Sequence, residues 1–148
     1  MNRTFFIIYT ALCIMMTGCD YSDNGDLDGM WYVIQIDSIC SSNSIEMRET
    51  GISWSFQAKL MQIGNHQSNS YWNNPIMCGF SVKGNQLEVY NPFIYDRMKG
   101  DKEITADSIH LIKPFGINSI PDNFMIEKLS SRKLQINDDI IRIIFEKY

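Results

Sequence analysis

Histidine is scarce in this chain of 148 residues: only His66 and His110 are present. A Ser-His-Asp triad needs a base within hydrogen-bond reach of its nucleophile and an acid to orient that base. His66 lies in the polar stretch "GNHQSNSYWNNP", and His110 follows Asp107 and Ser108 in a segment that reads as a strand. Neither arrangement makes a triad. Paired carboxylates for glycoside hydrolysis must face each other across a cleft. Here Asp138-Asp139 reads as a turn and residues 96–103 as a solvated loop. No glycine-rich phosphate loop and no calcium loop occurs. Cys40 and Cys78 have no histidine pair nearby and make a poor zinc site. The chain is therefore expected not to be an enzyme and to need no cofactor or metal. Basic clusters are missing too. The longest is Arg132-Lys133, and 13 basic against 17 acidic residues leave a net charge of −4. That balance argues against nucleic acid as a partner.

No apolar run is long enough to cross a bilayer, which takes roughly 20 residues. The longest, Phe5 to Met16, has twelve. Behind the basic start Met1-Asn2-Arg3-Thr4, it matches the hydrophobic region of a secretory signal. Its exit, Met16-Thr17-Gly18-Cys19, resembles the lipobox of bacterial lipoproteins. That resemblance implies cleavage before Cys19 and a diacylglycerol on its thiol. Two or three acyl chains anchor stably where one does not, so Cys19 would hold the chain on a membrane without a spanning helix. The chain then divides into a signal peptide at 1–18, a flexible acidic tether at 19–28 and one domain at 29–148. Asp20, Asp23, Asp26 and Asp28 in the tether resemble the acidic stretch that sends lipoproteins of gut-dwelling Gram-negative bacteria to the cell surface. Outer membrane is the expected address, and the sequence leaves the leaflet, inner or surface-exposed, open.

Loss of the signal removes Cys13 and Arg3 and leaves 12 basic against 17 acidic residues. With Cys19 lipidated, Cys40 and Cys78 remain. An oxidising compartment permits a disulfide between them, which would contribute about 4 kcal/mol through chain entropy.

Strand patterns fill the rest, and no long helix is predicted. "GMWYVIQIDS" (29–38) is aromatic and β-branched, as strands prefer. "ISWSFQAKLMQI" (52–63) alternates apolar and polar residues as one half-buried strand. "PIMCGFSVKGNQLEVYNPF" (75–93) reads as a hairpin turning at Lys83-Gly84-Asn85-Gln86. Residues 102–117 read as one or two strands and 42–51 as a short helix or turn. "NFMIEKLSSRKLQINDDIIRIIFEKY" (123–148) reads as a three-strand meander. Eight to ten short strands with close turns predict an all-β antiparallel barrel or sandwich.

Gly29-Met30-Trp31 at the start of the first strand, with Arg142 in the last, resembles the lipocalin pattern, in which the Trp closes the barrel floor and an Arg stacks on it. The lipocalin's middle Thr-Asp-Tyr motif is missing. The stretch "LIKPFGINSIPDNFMIEKLSSRKLQINDDIIRIIFEKY" is similar to the C-terminal half of the lipocalin-like domains of unknown function found in gut-bacterial, Bacteroidetes-type outer-membrane lipoproteins. The resemblance implies an up-and-down barrel of about 8–10 strands with Trp31 and Arg142 stacked at its floor.

Two functions follow. An eight-stranded barrel can hold one small ligand. Tyr71, Trp72, Phe93 and Tyr95, among amide side chains, would line its mouth for a small apolar or glycan-like ligand. The alternative is a non-enzymatic interaction, accessory or inhibitor module with a filled barrel. Inward Met, Trp and Phe favour filling; Ala58 and Gly79 are the small residues that would favour a cavity.

Overall fold

The computed structural model describes residues 24–66 and 74–148. Ten strands run in chain order: β1 (Gly29–Ser38), β2 (Ser44–Glu46), β3 (Ile52–Gln57), β4 (Leu60–Asn65), β5 (Ile76–Lys83), β6 (Gln86–Ile94), β7 (Lys102–Glu103), β8 (Asp122–Leu129), β9 (Lys133–Asn137) and β10 (Ile141–Lys147). Eight of them close an antiparallel up-and-down barrel, with β10 returning to β1. The two short strands, β2 and β7, add to its rim beside β1 and β6. Period-two alternation decides which residues enter. On β10, Ile143 and Phe145 are buried, while Arg142, Ile144 and Glu146 face outward.

The interior is solid with aromatic rings. Trp31, Trp54, Phe56, Phe80, Phe124 and Phe145 are each at most 2% exposed. Trp54 is the hub, with ring centroids 5.2 Å from Phe145, 5.8 Å from Phe124 and 6.4 Å from Phe56. Edge-to-face and tilted contacts of this kind add roughly 0.5–1.5 kcal/mol each beyond burial. The two small residues expected to open the interior do not. Ala58 sits in the β3–β4 turn with φ 54°, and Gly79 lies directly beneath the ring of Tyr90 on the next strand. Residues 52–63 are thus a hairpin instead of one strand.

Strand register defines two ends. At the floor, residues 24–28 pack on the barrel instead of extending the tether: Leu27 is buried, and Asn24 Nδ2 donates to the Ala58 carbonyl at 2.9 Å. Trp31 Nε1 donates to the Leu27 carbonyl at 2.7 Å. The cation on Trp31 is Lys147, not Arg142. Its Nζ lies 4.8 Å from the ring centroid and donates to the Asp26 carbonyl at 2.7 Å. Alternation explains the correction. Lys147 is paired with Trp31 in register and shares the parity of Ile143 and Phe145, whereas Arg142 is paired with Asp37 and points outward. Arg142 instead grips Glu127 through Nε and Nη2 at 2.8 and 3.0 Å. Gly29 has φ 113°, and a Cβ there would lie 3.0 Å from Lys147 Cε. The Gly-x-Trp pattern therefore serves both backbone conformation and the approach of the lysine.

The other end is plugged. Residues 102–117 form only β7 and then two 3-10 turns, Ala106–Leu111 and Lys113–Phe115, in place of the predicted strands. Pro114 favours a helical start and cannot donate to a ladder. Ile104, Ile112, Phe115 and Ile117 are buried over the barrel opening. Residues 42–51, read as a short helix or turn, give β2 and a 3-10 turn, Arg48–Thr50. Gly116 seats the plug with φ 93°, and a Cβ there would meet Ile143 Cδ1 at 2.5 Å. Gly116→Ala is expected to destabilise the fold by roughly 2–4 kcal/mol, from left-handed strain plus overpacking. A shift of the urea midpoint measures it; an unchanged midpoint would contradict the seating of this plug.

The expected Cys40–Cys78 disulfide is not formed. Cys40 is exposed in the turn after β1, and Cys78 is buried on the inward face of β5. A side chain directed into the barrel cannot meet one on an outer turn. Burial pushes the Cys78 thiol up to about 12, so it stays protonated and unreactive. Brief iodoacetamide treatment of the folded protein is expected to modify Cys40 and spare Cys78, as read by peptide mapping. Equal modification of both would contradict the burial.

Candidate functional site

Three clefts among the described residues bear on a site. The first lies at the plugged end, about 180 Å³, lined by Ile63, Gly64, Asn65, His66, Pro75, Ile76 and Phe115 among others. The Phe115 carbonyl accepts from Trp54 Nε1 at 3.2 Å, so this cleft ends on the plug. Of the residues expected at the mouth, Tyr71 and Trp72 lie outside the described residues. Phe93 and Tyr95 are half-buried on β6 and just beyond it and do not line this cleft, though the Tyr95 N–H donates to the carbonyl of its lining residue Pro75 at 3.0 Å. Phe93 pairs with Glu103 of β7, and Tyr95 carries Arg97 over its ring, 5.6 Å from the centroid.

The second cleft, about 400 Å³, is on the outer wall, lined by Tyr32, Ile34, Arg48, Gly51, His66, Glu146 and Lys147. Tyr32 is the outward residue between Trp31 and Val33 on β1. Register places Glu146 of β10 on one side of it and Ser53 of β3 on the other. His66 follows the end of β4. Its Nε2 is 2.9 Å from Ser53 Oγ, and its backbone N–H donates to the Gly51 carbonyl at 2.9 Å. Its ring meets Tyr32 edge-on at 6.0 Å, and Tyr148 stands 5.8 Å from Tyr32 on the other side. Arg48 Nη1 donates to Glu146 Oε2 at 2.9 Å. That bond holds the Glu146 carboxyl below its usual range. Sequence reasoning missed this group because its members are up to 116 residues apart, from Tyr32 to Tyr148. The one local signal was an outward aromatic in a strand whose other face is buried.

The third cleft, about 430 Å³, is polar and surrounds Asp37, Asn137 and the Glu127–Arg142 pair. Glu127 is held below the usual carboxylate range chiefly by its bond from Arg142.

The histidines have defined settings. Ser108 and His110 do not share a strand face. They lie in a 3-10 turn where Ser108 Oγ accepts the Thr105 N–H at 2.9 Å, as part of a capping box. Ser53 is only 1% exposed, so the Ser53 hydroxyl beside His66 is closed to a substrate. The buried Asp122 accepts backbone N–H groups from Asn118 and Ser119 at 2.6 and 3.2 Å, which assigns it to the turn entering β8. Among the described residues no three His, Cys, Asp or Glu side chains gather as metal ligands, and no helix is long and apolar enough to cross a membrane.

The sequence profile of the lipocalin-like domain matches residues 14–148. Among solved structures, a lipocalin-like protein from Bacteroides uniformis superposes with a TM-score of 0.58 at 18% identity, covering 84% of this chain and all of that one. An uncharacterised protein from Bacteroides eggerthii gives 0.58 at 15% identity, covering 82% and 99%. A protein from Burkholderia xenovorans gives 0.52 at 11% identity, covering 82% and 83%. No curated protein matches the chain. At these identities the structural likenesses establish the fold, and the profile spans nearly the whole sequence. With its closed eight-strand barrel and Gly-x-Trp floor, the chain belongs to the lipocalin-like domain family.

Proposed function

We propose that this protein is a non-enzymatic binding module of the outer membrane, anchored through Cys19, that uses its barrel as a solid scaffold and recognises its target on the outside. One observation carries this choice over a carrier with an internal ligand: six aromatic side chains fill the barrel and residues 104–117 close its open end. An internal ligand would have to displace close-packed rings, and opening a core by even a few methylenes costs several kcal/mol. The surface offers the alternative in the clefts around Tyr32 and Arg142. The shut-in Ser53 hydroxyl and the capped Ser108 support a role without catalysis.

Native mass spectrometry after incubation with palmitate and with a sterol tests the reading. The expected spectrum shows the covalent chain alone. A one-to-one apolar adduct that denaturation releases would restore the carrier.

A further inference from the structure

We propose that the outer-wall cleft around Tyr32 is a binding site for a neutral saccharide. This deepens the reading above and rests on it, since it requires recognition outside the barrel wall. The site begins with a row across four strands: Glu146, Tyr32, Ser53 and Gly64 stand side by side on the outward face. Gly64 carries no side chain, and His66 folds back over the space. Its Nε2 is 3.5 Å from where a Gly64 Cβ would stand. Three contacts then fix the imidazole: Ser53 Oγ, the Gly51 carbonyl through the His66 backbone, and the Tyr32 ring. The cleft is in place before anything binds, which lowers the ordering cost of binding.

Its chemistry fits a sugar. A pyranose has an apolar C–H face and a rim of hydroxyls. The first matches the aromatic surface of Tyr32, Tyr148 and His66, with Tyr148 88% exposed. The second matches the edge, where the Arg48 guanidinium and the Glu146 carboxylate lie 2.9 Å apart. Side by side they offer donors and acceptors, and neighbouring hydroxyls can accept from one and donate to the other. Sites of this kind combine apolar walls with a few placed polar groups.

The charges select a neutral ligand. Arg48 faces Glu146 and, at 3.8 Å, Glu46. Lys147 is engaged by the Asp26 carbonyl and the Trp31 ring. An anion would have to displace Glu146 while facing Glu46, and a cation would have to displace Arg48. A polyhydroxylated neutral molecule displaces neither.

The full chain, labelled with nitrogen-15 and held in the zwitterionic detergent LDAO, is titrated with maltohexaose, mannohexaose, xylohexaose and, as the anionic comparison, oligogalacturonate. Amide shifts are the readout. Saturable shifts at Tyr32, Gly51, His66 and Glu146 with at least one neutral sugar are expected. Tyr32→Ala is expected to weaken binding roughly tenfold or more. Exposed Arg48→Gln is expected to weaken it several-fold with the rest of the spectrum unchanged, which keeps the test independent of folding. Absence of shifts at these residues with every neutral sugar at millimolar concentration, or binding of oligogalacturonate alone, overturns the proposal and leaves the solid-barrel reading standing. Shifts centred on Trp54, Phe124 and Phe145 would overturn both.

Discussion

Trp54→Ala is expected to destabilise the protein by about 3–5 kcal/mol, the range for removing a large aromatic from a packed core. The size follows from position. The Trp54 ring touches Phe56, Phe124 and Phe145, which come from β3, β8 and β10. Its removal leaves a void where three parts of the wall meet. It also leaves the Phe115 carbonyl without the indole donor that fastens the plug. A domain of this size is stable by only about 5–15 kcal/mol in total, so the variant stands near unfolding. Trp54→Phe separates the two contributions. It keeps most of the packing, loses the N–H and should cost about 1–2 kcal/mol. Urea midpoints of the three proteins measure the series. A Trp54→Ala loss below about 0.5 kcal/mol, the usual bound for surface substitutions, would mean that the barrel is not packed around this ring.

The second large effect concerns the anchor. Cys19 lies outside the described residues, and its role rests on Met16-Thr17-Gly18-Cys19 after a twelve-residue apolar run. Each buried methylene of an acyl chain contributes about 0.8 kcal/mol, so two or more chains anchor a protein stably where one binds only marginally and reversibly. The wild-type chain is expected to incorporate an alkyne-labelled fatty acid and to sediment with membranes. Cys19→Ala is expected to lose the label and nearly all membrane retention. Among the described residues no helix is long and apolar enough to span a membrane. Label retained in the variant, or a wild-type chain that stays in the soluble fraction, would remove the anchor from the proposal.

The barrel was legible where turns carry turn chemistry. Lys83-Gly84-Asn85-Gln86 joins β5 to β6, Ser130-Ser131 joins β8 to β9, and Asn137-Asp138-Asp139 joins β9 to β10. Alternation on either side of such turns gives strands and faces directly. The β3–β4 turn was not legible. Ala58-Lys59 has no Gly or Asn, Ala58 adopts positive φ without the usual sequence cue, and the apolar alternation continues across it. The plug was misread for a related reason. Ile109 and Leu111 alternate as in a strand, while the buried set includes Ile112 and Phe115, which the 3-10 turns bring inward.

The floor shows how a motif can be right in chemistry and wrong in residue. Gly29-x-Trp31 marked the floor, and a cation does cover the indole. Arg142 was expected there because the lipocalin pattern places an Arg on the last strand. β10 runs on to Lys147, and one residue of parity separates an inward cation from an outward one. The outer-wall cleft was the least legible feature. Tyr32, Ser53 and Glu146 become neighbours only through the pairing of β1 with β3 and β10, which no local pattern encodes.

Hydrogen exchange at the Trp54 indole N–H tests the solid, plugged barrel most directly. That proton is buried on the Phe115 carbonyl, 3.2 Å away, beneath residues 104–117. It is expected to exchange as slowly as the best-protected backbone amides of β9 and β10, through global unfolding alone. Exchange far faster than those amides would mean that the plug opens by itself and admits solvent to the barrel, which contradicts a scaffold that binds only on its outside.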